Sequence, residues 1–247
     1  MSIEPIVIIP ARMGATRLPG KPLAQIGGVP MIVRVARAAA HAGVGPVVVA
    51  AGETEIAEAC RAAGIDSVLT DPALASGSDR IMAALEMVDP TGRHDAVINV
   101  QGDMPFVDAH TIQACEHLLR GESSCDIATV VAPEASPADR ANPDVVKAIL
   151  TLTPGRPGGR ALYFTRSTLY GDGPVWRHIG IYGYRREALA RFTAAPPSPL
   201  EKREKLEQLR ALELGLSIWA SVIDHAPLSV DSPADLDAAR AAAERYR

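Results

Sequence analysis

Short continuous runs of Val and Ile, alternating with stretches of helical period, constrain this chain more than any other feature. "PIVIIP" (5–10), "GPVVVAA" (45–51) and "HDAVINVQGD" (94–103) carry apolar residues without polar alternation, as strands buried on both faces of a parallel sheet do. Between them, residues 29–43, 54–64 and 77–88 place apolar side chains at helical spacing, and the first two stretches stop at Gly43 and Gly64, as helices often do. Strand and helix thus alternate, which predicts βαβ units with right-handed crossovers and an α/β fold.

After about residue 130 the rhythm loosens. "APEASPADRANPD" (132–144), "TPGRPGGR" (153–160) and "AAPPSP" (194–199) are expected to be loops, rich as they are in Pro, Gly and small residues. "LEKREKLEQLRALELG" (200–215) has one helical pattern, followed by a strand-like "LSIWASVI" (216–223) and a last helix from Pro233. No linker or repeat divides the 247 residues, so one domain spanning 1–247 is expected.

Composition excludes several classes of function. With 47% apolar and 22% charged residues the chain is that of a soluble globular protein. It has neither a bilayer-spanning apolar run nor a secretory leader, which predicts a cytoplasmic protein without membrane contact. A formal net charge of −4 argues against nucleic acid as a partner. Cys60, Cys115 and Cys125 form no CxxC pair and are expected to be buried apolar residues.

Ligands of open α/β sheets bind beyond the carboxyl ends of the strands, so residues just after each apolar run are the candidates. "ARMGATRLPGKPL" follows the first run with Arg12, Arg17 and Lys21 among glycines. Such a loop can wrap a polyphosphate, its backbone N–H groups and cations meeting the oxygens. It is neither a Walker A loop nor a GxGxxG fingerprint, and spacing leaves a solvated surface loop open. Asp103 ends the third run and is a candidate Mg²⁺ ligand, or a turn residue. Asp231 is a possible second carboxylate, since Ser232, Pro233 and Asp235 suffice to cap the final helix.

"GSDR" (77–80) offers a serine and an arginine at a helix start, for capping or for a base edge. "RHIGIYGYR" (177–185) alternates, with His178, Gly180 and Tyr182 on one strand face and Ile179 and Ile181 on the other. Glu207 and Gln208 lie beside the stripe formed by Leu206, Leu209 and Leu212, and Arg166 ends the strand-like "ALYFTRS" (161–167). No spacing supports a Ser-His-Asp, HExxH or Cys-His arrangement, so covalent catalysis is not expected.

Together "IPARMGATRLPGKPL", "SGSDRI", "VINVQGDMP", "YFTRS", "RHIGIYGYR", "SPLEKREKLEQLRALELG" and "VDSPADL" resemble, in order and spacing, the 3-deoxy-manno-octulosonate (Kdo) cytidylyltransferases. The resemblance runs from about residue 6 to residue 240. It implies a three-layer α/β/α nucleotidyltransferase fold with a mostly parallel central sheet and a small β-containing excursion for dimerisation. It implies a homodimer that condenses CTP with Kdo to CMP-Kdo and pyrophosphate, with Mg²⁺ as cofactor, for lipopolysaccharide biosynthesis. The alternative it leaves is a related acidic sugar, an 8-amino-Kdo or a sialic acid.

Carried over by position, the resemblance makes Arg12, Lys21, Asp103 and Asp231 the catalytic set, with Asp103 and Asp231 as metal ligands. Arg12, Arg17, Lys21, Ser78, Arg80 and Gln101 would surround the nucleotide. Gln101, Arg166, His178, Tyr182, Glu207 and Gln208 would contact the sugar acid. The chain departs from the family pattern at Gly52 and Glu53, which replace an acidic stretch, at Ser232 in place of Thr, and in lacking a glycine before "VDSPADL".

Overall fold

The computed structural model describes residues 3–14, 17–152 and 155–245. Ala15 and Thr16 of the basic loop, and Thr153 and Pro154 of the expected 153–160 loop, lie outside the described residues. The elements in chain order are β1 (Pro5–Ala11), β2 (Gln25–Ile26), β3 (Val29–Pro30), α1 (Met31–His41), β4 (Val47–Ala51), α2 (Thr54–Ala62), β5 (Ser67–Leu69), α3 (Gly77–Val88), β6 (Ala96–Asn99) and α4 (Ala109–Gly121). They continue with β7 (Ile127–Pro133), β8 (Lys147–Leu152), β9 (Gly158–Thr165), β10 (Trp176–Arg185), α5 (Arg186–Ala194), α6 (Pro199–Glu204), α7 (Gln208–Glu213), β11 (Ile218–Val222) and α8 (Pro233–Arg245).

The chain forms two compact units, one made of Glu4–Gln113 with Pro227–Arg247, the other of Ala114–Ala226 with the first residues of the chain. In the first unit the strands run β5-β4-β1-β6, every neighbouring pair parallel. The three apolar runs and three helical stretches of the sequence are the strands and helices of this unit. Ile6, Val7, Ile8 and Ile9 of β1 are all buried, at 2% exposure or less. Each such side chain contributes about 1.5–3 kcal/mol on burial, which is why a central strand needs no polar alternation.

In the second unit the order is β10-β7-β11-β9-β8. Only β7–β11 is parallel there; β10–β7, β11–β9 and β8–β9 are antiparallel. Trp176 and Arg177 of β10 also pair with Ala148 and Lys147 of β8, so this sheet curls back on itself. The mostly parallel arrangement therefore belongs to the first unit, and the second is mainly antiparallel.

Two local expectations change. Gly158–Arg160 belong to β9 rather than to a loop: a Cβ at Gly159 would collide with the Thr151 carbonyl oxygen, so glycine is what lets β8 and β9 approach. The 200–215 helix is two, α6 and α7, broken at Lys205, whose φ is 55°. The Lys205 N–H bonds to Glu201 O and the Leu206 N–H to the same oxygen at 3.3 Å, a left-handed helix stop. In β10 the register against β7 shifts between Ile179 and Tyr182, yet Ile179 and Ile181 are buried as the alternation predicts, with His178 and Tyr182 half-buried. All three cysteines are free and buried, and burial raises the Cys60 thiol to about 11.

Candidate active site

The basic loop leaves β1 and closes on a short 3₁₀ turn, Lys21–Leu23. Gly20 enters that turn with φ 68°, a conformation that suits glycine best, and the ring of Pro22 locks its own φ within the turn. Lys21 is thereby aimed inward. Its Nζ donates to Asp103 Oδ2 at 2.8 Å and to Asp231 Oδ1 at 3.2 Å, while Arg17 Nη2 lies 3.5 Å from the same Asp231 oxygen.

Asp103 follows β6, and its carbonyl oxygen accepts the Val230 N–H at 2.9 Å, which brings the segment before α8 alongside. Ser232 and Asp235 form the expected reciprocal cap, Asp235 Oδ2 accepting the Ser232 N–H at 2.8 Å and Ser232 Oγ accepting the Asp235 N–H at 3.3 Å. The Asp231 carboxylate is left to the cations.

Burial alone would lower the Lys21 pKa, but the charges and hydrogen bonds of Asp103 and Asp231 outweigh it, and the net shift is upward. Asp103 is also raised, because its burial outweighs the pull of Lys21. The cluster thus holds one ammonium between two carboxylates, one of which is deeply desolvated.

These residues line a cavity of about 410 Å³ together with Arg12, Arg80 and Gln101. Arg80 is itself buried, at 2% exposure. It donates to Thr70 Oγ1 at 2.6 Å and to Asp71 O at 3.2 Å, and Thr70 donates on to Ala51 O at 2.9 Å. Burial lowers the Arg80 pKa, though a guanidinium stays charged at any physiological pH.

Ser78 differs from the others. It is buried on α3, and the cavity wall at this helix start is made by Ser76 and Gly77. Ser76, not a residue of "GSDR", caps the helix, in a reciprocal cap with Asp79. Two residues that spacing did not single out support the cavity. Glu53 Oε2 accepts the Met13 N–H at 2.8 Å and ties down the basic loop, and Thr70 anchors Arg80. The departure at Gly52-Glu53 was the available signal for the first; Thr70 carries none.

Among the described residues no three His, Cys, Asp or Glu side chains gather as a metal cage. Asp103 and Asp231 are the hard oxygen donors of the cavity, and two carboxylates beside a cluster of cations fit Mg²⁺, whose remaining positions are commonly taken by phosphate and water.

The sugar candidates lie in the second unit. His178 and Tyr182 are in ring contact, with centroids 5.3 Å apart, and Phe164 packs edge-on to His178 at 5.0 Å. His178 Nε2 lies 3.0 Å from Thr129 Oγ1. The Thr129 proton is directed to Ile181 O at 2.8 Å, so its oxygen accepts from the ring. This assigns the proton to Nε2 and leaves Nδ1 an acceptor.

Burial depresses the His178 pKa to about 3. It raises the Tyr182 phenol well above its ordinary value, helped by the charges of Tyr184 and Glu207. Glu207 accepts from Arg210 Nη2 at 3.1 Å, and Gln208 is buried at the start of α7. Arg166 stands just past β9, its Nη1 donating to Pro143 O at 2.9 Å. The structure thus gathers His178, Tyr182 and Glu207, sets Gln208 next to Glu207, and records no contact between Arg166 and the other four. Gln101 belongs to the first unit, where its Nε2 donates to Asn99 Oδ1 at 3.3 Å.

A family model described as cytidylyltransferase matches residues 6–218. A 3-deoxy-manno-octulosonate cytidylyltransferase of Parvibaculum lavamentivorans is 59% identical over 244 residues, 98% of this chain and 93% of that protein. The chain belongs to the 3-deoxy-manno-octulosonate cytidylyltransferase family. A member from Rhodospirillum centenum is 55% identical over 96% of this chain and 93% of its own length. A solved CMP:2-keto-3-deoxy-manno-octonic acid synthetase, complexed with CTP, superposes with a TM-score of 0.89 at 33% identity, over 99% of this chain and 100% of its own. The α/β nucleotidyltransferase fold of this 3-deoxy-manno-octulosonate cytidylyltransferase family member is thereby established, and the family match runs through both of its units.

Proposed function

We propose that this chain transfers the cytidylyl group of CTP to Kdo, giving CMP-Kdo, the activated sugar for lipopolysaccharide synthesis, and pyrophosphate. The observation that carries the reading is the cavity in which Lys21 stands between Asp103 and Asp231 with three arginines around it. Arg12, Arg17, Lys21 and Arg80 oppose the charge of a triphosphate. Arg80, pinned by Thr70 and Asp71, is the rigid member of this set, and Arg17, the exposed one, is the adaptable member.

The anomeric C2 hydroxyl of Kdo attacks the α-phosphorus in line and gives up its proton to solvent, the bond to the bridging oxygen breaks, and pyrophosphate leaves. Little covalent work falls to the protein, so positioning and electrostatic stabilisation supply the rate. Lys21 donates to phosphate oxygens once they compete with its carboxylate partners. Asp103 and Asp231 would hold Mg²⁺, which would supply Lewis-acid charge compensation and a lowered pKa for the attacking hydroxyl.

Arg166 meets the sugar carboxylate, and neutral His178 offers Nδ1 to a sugar hydroxyl. Tyr182, whose pKa is raised, stays a phenol that can donate to one. Glu207 and Gln208 complete the polar surface for the sugar acid.

A homodimer is part of the same proposal. Leu152 and Leu162 on β8 and β9 are 43% and 54% exposed, an apolar surface suited to a second copy. Free thiols at all three cysteines suit the reducing cytoplasm.

The test is pyrophosphate release from CTP, Mg²⁺ and Kdo, with Asp103→Asn beside it. Turnover with Kdo, reduced about 10²–10³-fold in the variant, is expected. No release with Kdo, or an undiminished variant, overturns the reading.

A further inference from the structure

Lys147, on β8, is buried completely, with 0% of its surface exposed, and no described carboxylate forms an ion pair with it. Its Nζ donates instead to two main-chain oxygens, Asn142 O at 2.9 Å and Arg166 O at 2.8 Å. A buried ammonium is among the most costly groups to desolvate, and neutral carbonyls compensate it only in part. Burial lowers its pKa, the positive charge of Arg166 lowers it further, and Asp139 opposes both.

Holding a turn to a strand end needs no charge, since a neutral donor can bridge two carbonyls. A buried cation beside a second, half-buried one is instead an arrangement that an arriving anion relieves.

We propose that Lys147 is a positioning residue for the carboxylate of the sugar acid. Its ammonium clamps the main chain of Arg166 to the 142–143 turn, and that turn in its own right holds the Arg166 guanidinium through Pro143 O at 2.9 Å. Both ends of Arg166 are thereby fixed before substrate arrives. The same clamp lies next to the sugar-facing strand, because Lys147 pairs with Arg177 and the His178 N–H donates to Val146 O at 2.9 Å. The inference rests on the Kdo reading, and specifically on Arg166 as the carboxylate's partner.

The experiment measures KM for Kdo, KM for CTP and the melting temperature in Lys147→Met, Arg166→Ala and the double variant. Lys147→Met is expected to raise KM for Kdo by up to about 10²-fold, the scale of a misplaced binding group. It should leave KM for CTP within about twofold, and the double variant should be no worse than Arg166→Ala, as coupled residues behave. Lys147→Gln keeps two neutral donors for the same two oxygens. It lacks the charge that the arriving carboxylate relieves, so it too should raise KM for Kdo, and it covers the case in which Lys147→Met does not fold.

An unchanged KM for Kdo in Lys147→Met or in Lys147→Gln overturns the proposal. So does an equal loss for both substrates, which marks general damage, or a double variant whose losses multiply. If Arg166→Ala itself leaves KM for Kdo unchanged, the sugar-site reading has failed and takes this inference with it. If Arg166→Ala raises that KM and Lys147→Met does not, only the role of Lys147 is lost.

Discussion

Lys21 and a divalent cation want the same oxygens. The ammonium is 2.8 Å from Asp103 and 3.2 Å from Asp231, so it neutralises the pair that a metal would otherwise neutralise. Lys21→Met removes that competitor. The variant is expected to bind Mg²⁺ several-fold more tightly in the absence of nucleotide, while turnover falls about 10²–10³-fold for loss of a phosphate-facing cation. Calorimetric titration with Mg²⁺ at pH 8 checks the first half, because Asp103, already raised by burial, rises further without Lys21 and must be kept ionised. Unchanged Mg²⁺ affinity would remove Asp103 and Asp231 from the metal site. His178 gives a second prediction of opposite character. Its native pKa, about 3, lies below the ordinary value near 6.5, so below pH 6.5 the unfolded chain takes up a proton that the folded chain refuses. Stability is complete above that pH and declines as pH falls toward 3. At pH 5 the loss reaches at most about 2 kcal/mol, less to the extent that water reaches the half-buried ring. Urea unfolding of the wild type and of His178→Gln at pH 7 and pH 5 should show the stability difference between them shrinking or reversing by that amount; a difference that stays constant means a charged imidazole in the native state.

Between α6 and α7 the chain turns through a lysine where glycine is the usual residue. The left-handed conformation of Lys205, φ 55°, costs about 1–2 kcal/mol for a residue with a Cβ, and glycine returns about half of that as extra freedom of the unfolded chain. Lys205→Gly should therefore stabilise by up to about 1 kcal/mol, read from urea unfolding; a destabilised variant would mean that the lysine side chain contributes more there than its backbone costs. This break was not legible in the sequence, since "EKREKLEQLR" has neither glycine nor proline and keeps its leucines at helical spacing. The spacing still placed Leu206 and Leu209 in the core, at 4% and 0% exposure, although Leu206 falls between the two helices and α6 itself buries no side chain. The β9 glycines hid a strand for a different reason. Gly158 and Gly159 lack side chains because carbonyls of β11 and β8 come close, and glycine in a row signals a turn unless the neighbouring strand is already known. β1, β4 and β6 were legible because burial on both faces leaves a continuous apolar run, a signal that mainly antiparallel strands such as β8 and β9 do not give.

Across the whole chain the candidates divide by unit. Arg12, Arg17, Lys21, Arg80, Gln101, Asp103 and Asp231 belong to the parallel unit, and Arg166, His178, Tyr182, Glu207 and Gln208 to the antiparallel one. The first group was legible residue by residue, since a parallel sheet gathers the loops at its strands' carboxyl ends along one edge and charged residues there stand out. The net charge of −4 conceals it, because the cations are concentrated in one cavity and not spread over a face. The second group was legible only through the family resemblance, for a lone His or Tyr on an antiparallel strand, or a Glu at a helix start, has no positional rule to mark it. Thr70 and Lys147, which bond to the candidates Arg80 and Arg166, stayed hidden because a support is defined by its partner across the fold. The division predicts how defects separate. Lys21→Met should weaken CTP binding measured without sugar, by calorimetry, while His178→Gln and Arg166→Ala leave that affinity within about twofold and raise KM for Kdo instead, as independent sites do. Chelating Mg²⁺ should abolish turnover in the wild type and in both sugar-side variants alike, with activity returning on re-addition of the metal. If Arg166→Ala or His178→Gln weakened CTP binding as strongly as Lys21→Met does, the nucleotide would be held by both units, and the assignment of the second unit to the sugar alone would fall.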